Sequence, residues 1–226
     1  MYKKYFIILI LNILILINNS QTLAKYAFNY TLDVATINTG GNYYLITYTE
    51  TNDDDDEKVE KLDKGDNHDS DGSKLKDWIM KKRQTLETIK IEDDSGDLKD
   101  CSYLFGGTGE IMVCHRLTKI DLSGLNTKNV TNMTFMFYDC SSLIHLNISN
   151  LDTSKVTDMS FMFYNCRLLE NIDLRSFNTY KVNTMESMFG NCVSTNEIKV
   201  SQTFVTNNAN TSNMFKNCGV SNVTLY

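Results

Sequence analysis

The chain has 226 residues, with 28 acidic and 22 basic side chains, a formal net charge of −6, six cysteines and no proline. That balance leaves no basic patch for nucleic acid, whose phosphates demand clustered Lys and Arg. The three histidines and the absence of G-x-S-x-G, H-E-x-x-H and P-loop sequences argue against an enzyme, and neither a cofactor nor a metal site is expected.

Residues 1–24 read as a signal peptide. Lys3 and Lys4 precede the apolar run Phe6–Ile17, and Thr22-Leu23-Ala24 offers small residues near a cleavage point. The run is short for a membrane span, which needs about 20 apolar residues, so the mature chain is expected to carry none. Loss of the two lysines leaves 20 basic against 28 acidic side chains, or −8.

Residues 25–49 hold two runs, AFNYTLDVATI and YYLITYT, on either side of NTGGN, and predict a β-hairpin. Residues 50–73 form an acidic stretch. Glu50–Asp71 alone contains 11 acids and three lysines, also −8, and predicts a disordered linker. Within it, Asn67-His-Asp69-Ser-Asp71-Gly72 has oxygen-bearing residues at the first, third and fifth positions of a calcium loop. The twelfth position is Trp78 rather than Glu, which favours a solvated acidic run. Residues 74–97 predict a helical region, with Leu75, Trp78, Ile79, Leu86 and Ile89 on one broad face, placed to cap the N-terminal end of the repeats in residues 98–226.

In residues 98–226, Cys114, Cys140, Cys166, Cys192 and Cys218 stand 26 residues apart, and the sequence around them repeats in phase. The unit at Leu151 reads LDTSKVTDMSFMFYNCRLLENIDLRS. Its first half, Val156, Met159, Met162, Phe163 and Cys166, has spacings of 3, 3, 1 and 3 and predicts one stripe of a helix. Its second half follows L-x-x-L-x-L through Leu169, Ile172 and Leu174 and predicts a strand. Asn126, Asp152 and Asn178 stand at the turn between units, with Thr127, Thr153 and Thr179 behind them. A single unit cannot bury its apolar face alone, so neighbours must stack. The fold class expected is therefore α/β: a leucine-rich-repeat-like solenoid with a parallel strand ladder and short helices, preceded by the hairpin and the capping helix. The five phase-locked cysteines form its core ladder, as small buried thiols. Disulfides between neighbours are a second reading, since strand spacing of about 4.8 Å lies within disulfide reach.

The motif V-T-x-M-x-x-M-F-x-N/D-C-x-x-L-x-x-I/L-D/N-L/I-S resembles the 26-residue repeats of the BspA-like leucine-rich repeat surface proteins, over about residues 98–226. The resemblance implies a secreted or cell-surface repeat protein with a role in adhesion or matrix binding, and no catalytic residues.

Residues between the buried strand positions point to the concave face and form columns. Lys119, His145, Asn171 and Glu197 make one, and Asp121, Asn147, Asp173 and Lys199 make the next, with Arg175 beyond them. This face is the candidate binding site, for a protein or glycan ligand at the cell surface or matrix. Residues of the other half, such as Lys155 and Asp158, face a different side. The competing expectation is a structural surface component that self-associates end to end.

Overall fold

A computed structural model describes residues 43–51, 56–65, 69–93, 95–107 and 114–226. The predicted signal peptide, the first hairpin run and the start of the calcium-like loop lie outside the described residues.

The chain runs β1 (Tyr43–Glu50), β2 (Lys58–Asp63), α1 (Ser73–Lys82), β3 (Leu86–Asp93), β4 (Lys119–Leu125), β5 (His145–Asn147), β6 (Asn171–Leu174), β7 (Glu197–Val200) and β8 (Thr224–Leu225). Two sheets result. A mixed five-stranded sheet has the order β2-β1-β3-β4-β5, and a separate three-stranded parallel sheet has the order β6-β7-β8. Strand β1 pairs antiparallel with β2 and β3, whereas β3-β4 and β4-β5 are parallel.

This architecture corrects the expected fold class. The described residues are mostly sheet with one short helix, in two sheets, and they do not form a leucine-rich-repeat solenoid. Three local causes account for the difference.

First, the 3-3-1-3 stripe is made of turns. In the segment Met133–Cys140 alternate amides take different partners. Met136, Tyr138 and Cys140 donate to carbonyls three residues back. Met133, Phe135, Phe137 and Asp139 donate to Asp158, Ser160, Met162 and Tyr164 of the next unit. Left-handed backbone at Phe135 (φ 58°), Asp139 (φ 57°), Phe161 (φ 57°) and Asn165 (φ 64°) prevents any helix from propagating. The apolar stripe is nevertheless buried: Val156, Met159, Met162, Phe163 and Cys166 are all fully enclosed. Asp100, Asn132, Asp158, Thr184 and Asn210 make a column of single parallel bridges along these turns. The Asp158 carboxylate accepts from the Ser160 amide at 2.8 Å, the local bond that favours Asx residues in turns.

Second, the predicted acidic linker contains strand β2. Val59 and Leu62 lie within it, and its charges are matched across the strand pair. Lys58 Nζ reaches Glu50 at 3.0 Å, and Lys61 Nζ lies 3.7 Å from the Tyr43 ring centroid. The Trp78 indole donates to Glu60 at 2.7 Å and tethers α1 to the strand.

Third, the predicted helix of 74–97 stops at Lys82, and Leu86–Asp93 continues as β3. Asp69 opens α1 by accepting from the amides of Lys74 and Leu75 at 2.9 and 3.2 Å. Beyond it, Leu86, Ile89 and Ile91 are buried core positions, as a strand against β1 and β4 requires. The start of the parallel array is thus covered by paired strands, and α1 lays Leu75, Trp78 and Ile79 inward.

One core runs through the described chain, from Tyr44 to Met214. Its central feature is a column of rings, Phe105, Phe137, Phe163, Phe189 and Phe215, stacked with centroids 5.6, 5.4, 5.6 and 5.5 Å apart. Thr127, Thr153 and Thr179 are buried at the unit boundaries, and the Thr127 and Thr153 hydroxyls each donate to a carbonyl of the next unit at 3.0 Å.

Candidate binding face

The outward residues of β4–β7 stand where the alternation of a strand puts them, because Ile120, Leu122, Ile172, Leu174, Ile198 and Val200 occupy the buried phase. Register supports the predicted columns within each sheet. Lys119 is paired with His145 and Asp121 with Asn147. Asn171 is paired with Glu197 and Asp173 with Lys199. Between His145 and Asn171 the columns are interrupted, since no ladder joins β5 to β6.

A hollow of about 410 Å³ lies over the outward face of β4, β5 and the start of β6, lined by Lys119, Ile120, Asp121, Ile144, His145, Leu146, Asn147, Glu170 and Asn171. Five predicted residues, Lys119, Asp121, His145, Asn147 and Asn171, are brought together in it. Asn147 donates to Asp121 at 3.1 Å. Burial raises the Asp121 carboxyl, but hydrogen bonds from Ser123 and Asn147 and the nearby Lys90 hold it below the usual carboxylate range.

The other four predicted residues lie outside the hollow. Arg175 grips Asp173 through Nε at 2.9 Å and through the terminal nitrogen at 2.7 Å, and this hydrogen bonding lowers the Asp173 carboxyl. Lys199 reaches Glu197 at 3.3 Å and lies 5.4 Å from the Tyr226 ring centroid. The Tyr226 hydroxyl donates to Glu197, whose carboxyl is lowered in consequence. These pairs answer each other's charge along the strands, which leaves the hollow as the more open recognition chemistry.

Ile120, Ile144, Leu146 and Glu170 were not among the predicted residues. Ile144 and Glu170 occupy the same repeat position just ahead of their strands, one residue after the buried Leu143 and Leu169. Ile144, an apolar residue where the equivalent positions hold Glu170 and Asn196, was the available signal.

The cysteine column lies away from this face. Cys114, Cys140, Cys166 and Cys192 are buried, Cys218 is half-buried, and all are free thiols. Cys166 and Cys192 donate to the carbonyls of Phe137 and Phe163 at 3.2 and 3.0 Å. Burial pushes Cys114 up to about 12. The neighbouring Cys192 thiol holds the half-buried Cys218 thiol below its ordinary value. Among the described residues, no three His, Cys, Asp or Glu side chains converge to hold a metal ion, and no helix is long and apolar enough to cross a membrane.

No curated protein and no solved structure matches the chain. Residues 99–225, more than half of the chain, match the family described as "Mycoplasma protein of unknown function, DUF285". The matched span begins with the first turn segment and takes in every strand from β4 to β8, so both the binding face and the cysteine column fall inside it. The chain belongs to the DUF285 family.

Proposed function

We propose that this protein is a secreted or cell-surface binding module that engages a macromolecular partner through its strand face, in adhesion or a related contact. The observation that carries the reading is the hollow over β4, β5 and the start of β6, where outward side chains of both charge signs meet an exposed isoleucine on a well-packed base. The leader-like first 24 residues and the resemblance to surface repeat proteins support placing it outside the membrane.

The test compares three double variants for adhesion of the purified chain to cultured cells and to immobilised matrix proteins. His145→Ala/Asn147→Ala and Asp173→Ala/Arg175→Ala alter the strand face. Lys155→Ala/Asp158→Ala alters the turn side. Loss confined to the strand-face variants supports the proposal. Loss confined to the Lys155/Asp158 variant moves the site off this face and refutes it.

A further inference from the structure

We propose that Lys64 and Asp93 are the two ends of an internal amide cross-link, which the folded chain forms between its own side chains. The site is separate from the strand face, since neither residue lines the hollow. Register places Asp93 opposite Leu125. Leu125, and Leu151 and Phe177 at the same phase of the next two units, are buried. A carboxylate thus stands where the following units place apolar side chains. Lys64 follows β2 directly, and the side chains of Lys64 and Asp93 are wholly shielded from solvent. Nζ of Lys64 lies 2.5 Å from Oδ1 of Asp93. The Tyr44 ring, from the intervening β1, has its centroid 4.7 Å from that nitrogen.

Oδ1 also accepts from the Ser95 amide at 3.0 Å and the Ser95 hydroxyl at 2.8 Å, whereas Oδ2 is buried with no hydrogen-bond partner among the described residues. A buried ion pair is seldom more stable than apolar side chains of the same volume, and an orphaned oxygen adds to the cost. Stability alone therefore does not account for this pair.

The arrangement suits condensation. One proton passed from Nζ to Oδ1 turns the ion pair into a neutral amine and a carboxylic acid, the forms that react. Cγ is one carbon–oxygen bond beyond Oδ1, so packing holds nucleophile and electrophile at reacting range. The Nζ lone pair attacks Cγ, and the carbonyl electron pair moves onto Oδ2. The Ser95 hydroxyl touches both Nζ at 2.6 Å and Oδ1 at 2.8 Å. It takes a proton from Nζ and gives its own to Oδ1. The Cγ–Oδ1 bond then breaks, Oδ1 leaves as water, and the electron pair on Oδ2 re-forms the carbonyl. Amine and acid become one amide and one water, and no further reactant is needed. Strands β2 and β3 flank β1 and are not neighbours in the sheet. The amide joins their ends, 29 residues apart, and closes a loop that contains α1.

The experiment measures the intact mass of the full chain under denaturing, reducing conditions, once after purification from inclusion bodies in urea and again after refolding. The expected result is the sequence mass in urea and a loss of one water after refolding. Trypsin should then fail to cut after Lys64, and the digest should contain the peptides of Lys64 and Asp93 joined. Lys64→Met/Asp93→Leu, which puts an apolar pair in the same space, should keep the full mass after refolding, and circular dichroism checks that it folds. Ser95→Ala should slow the conversion at least tenfold. A refolded wild-type chain at full mass overturns the proposal, whatever the variants do. So does a water loss that persists in the double variant, or one mapped to a single peptide containing Asp71-Gly72, where succinimide closure releases the same water. Conversion of Ser95→Ala at an unchanged rate overturns the relay role of Ser95.

Discussion

Phe163→Ala tests whether the ring column is the mechanical centre of the protein. Phe163 is fully buried and stacks on Phe137 at 5.4 Å and on Phe189 at 5.6 Å, nearly parallel to both. Truncating a buried Phe to Ala costs about 3–5 kcal/mol, and the upper half of that range applies where neighbours cannot collapse into the space. Collapse is hindered here because both adjacent rings are held by backbone bonds between units, Phe137 to Met162 and Phe189 to Met214, each 2.9 Å. The expected loss is therefore about 4 kcal/mol, or a fall in Tm of about 8–16 °C for a domain of this size. Phe215→Ala is the internal comparison. Phe215 is only partly buried and has a single ring neighbour, Phe189 at 5.5 Å, so its loss should be about 1–2 kcal/mol. Urea unfolding followed by far-ultraviolet circular dichroism, with the slope held common, measures both. Equal losses at the two positions, or less than about 2 kcal/mol at Phe163, would refute the reasoning.

Three further outcomes are expected. Glu50 is held at about 2, below its ordinary 4.5, chiefly by the Thr85 hydroxyl and also by Lys58 and Lys82. Its stabilisation is therefore complete above the unfolded value and lost as pH falls from 4.5 toward 2. Glu50→Gln should flatten the acid limb of an unfolding titration in that window, and an unchanged limb would count against the assignment. Cys218, half-buried and with its thiol held below the ordinary value, should alkylate first, while Cys140 and Cys166 react only after unfolding; mass spectrometry that found Cys140 or Cys166 labelled as fast in the folded chain would contradict this. Asn165 holds a left-handed backbone at φ 64°. Asn165→Val should cost about 1–2 kcal/mol more than Asn165→Gly by thermal melting, because only the former forces a β-branched residue into that conformation. Equal stabilities would remove the strain argument.

The burial phase of the repeats was legible in the sequence, down to single positions. Val156, Met159, Met162, Phe163, Cys166, Leu169 and Ile172 are all enclosed. What could not be read was the backbone that delivers them inward. A 3-3-1-3 spacing is shared by a helix and by successive three-residue turns, and the discriminating signal lies in residues such as Phe135 and Phe161. Phenylalanine does not advertise a left-handed φ, whereas Asp139, Asn165 and Asn191 in the neighbouring positions do. The strand within the acidic stretch escaped notice because its support comes from elsewhere. Tyr43 and Trp78, outside the stretch, meet Lys61 and Glu60, and Glu50 at its edge meets Lys58 only once the two strands pair. For the binding face, alternation placed Lys119, His145 and Asn171 on one surface. The gap between β5 and β6 carries no sequence mark, because Leu146 fits the repeat pattern as well as Ile120 and Ile172 do.

The bonds between turn segments constrain how such a chain can change length. Each amide of the Met133–Asp139 set reaches a carbonyl 25 positions later, and alternate residues serve alternate purposes. Adding or removing one residue within a unit would exchange those two roles through the rest of its turn, orienting inter-unit donors toward their own unit and local donors toward the next. Adding or removing a whole 26-residue unit changes neither. Heritable variation in the length of this region should therefore be quantised, with duplication and excision of complete units tolerated and single-codon insertions confined to the segment between Phe105 and Cys114, which stand nine residues apart where the equivalent Phe163 and Cys166 stand three apart.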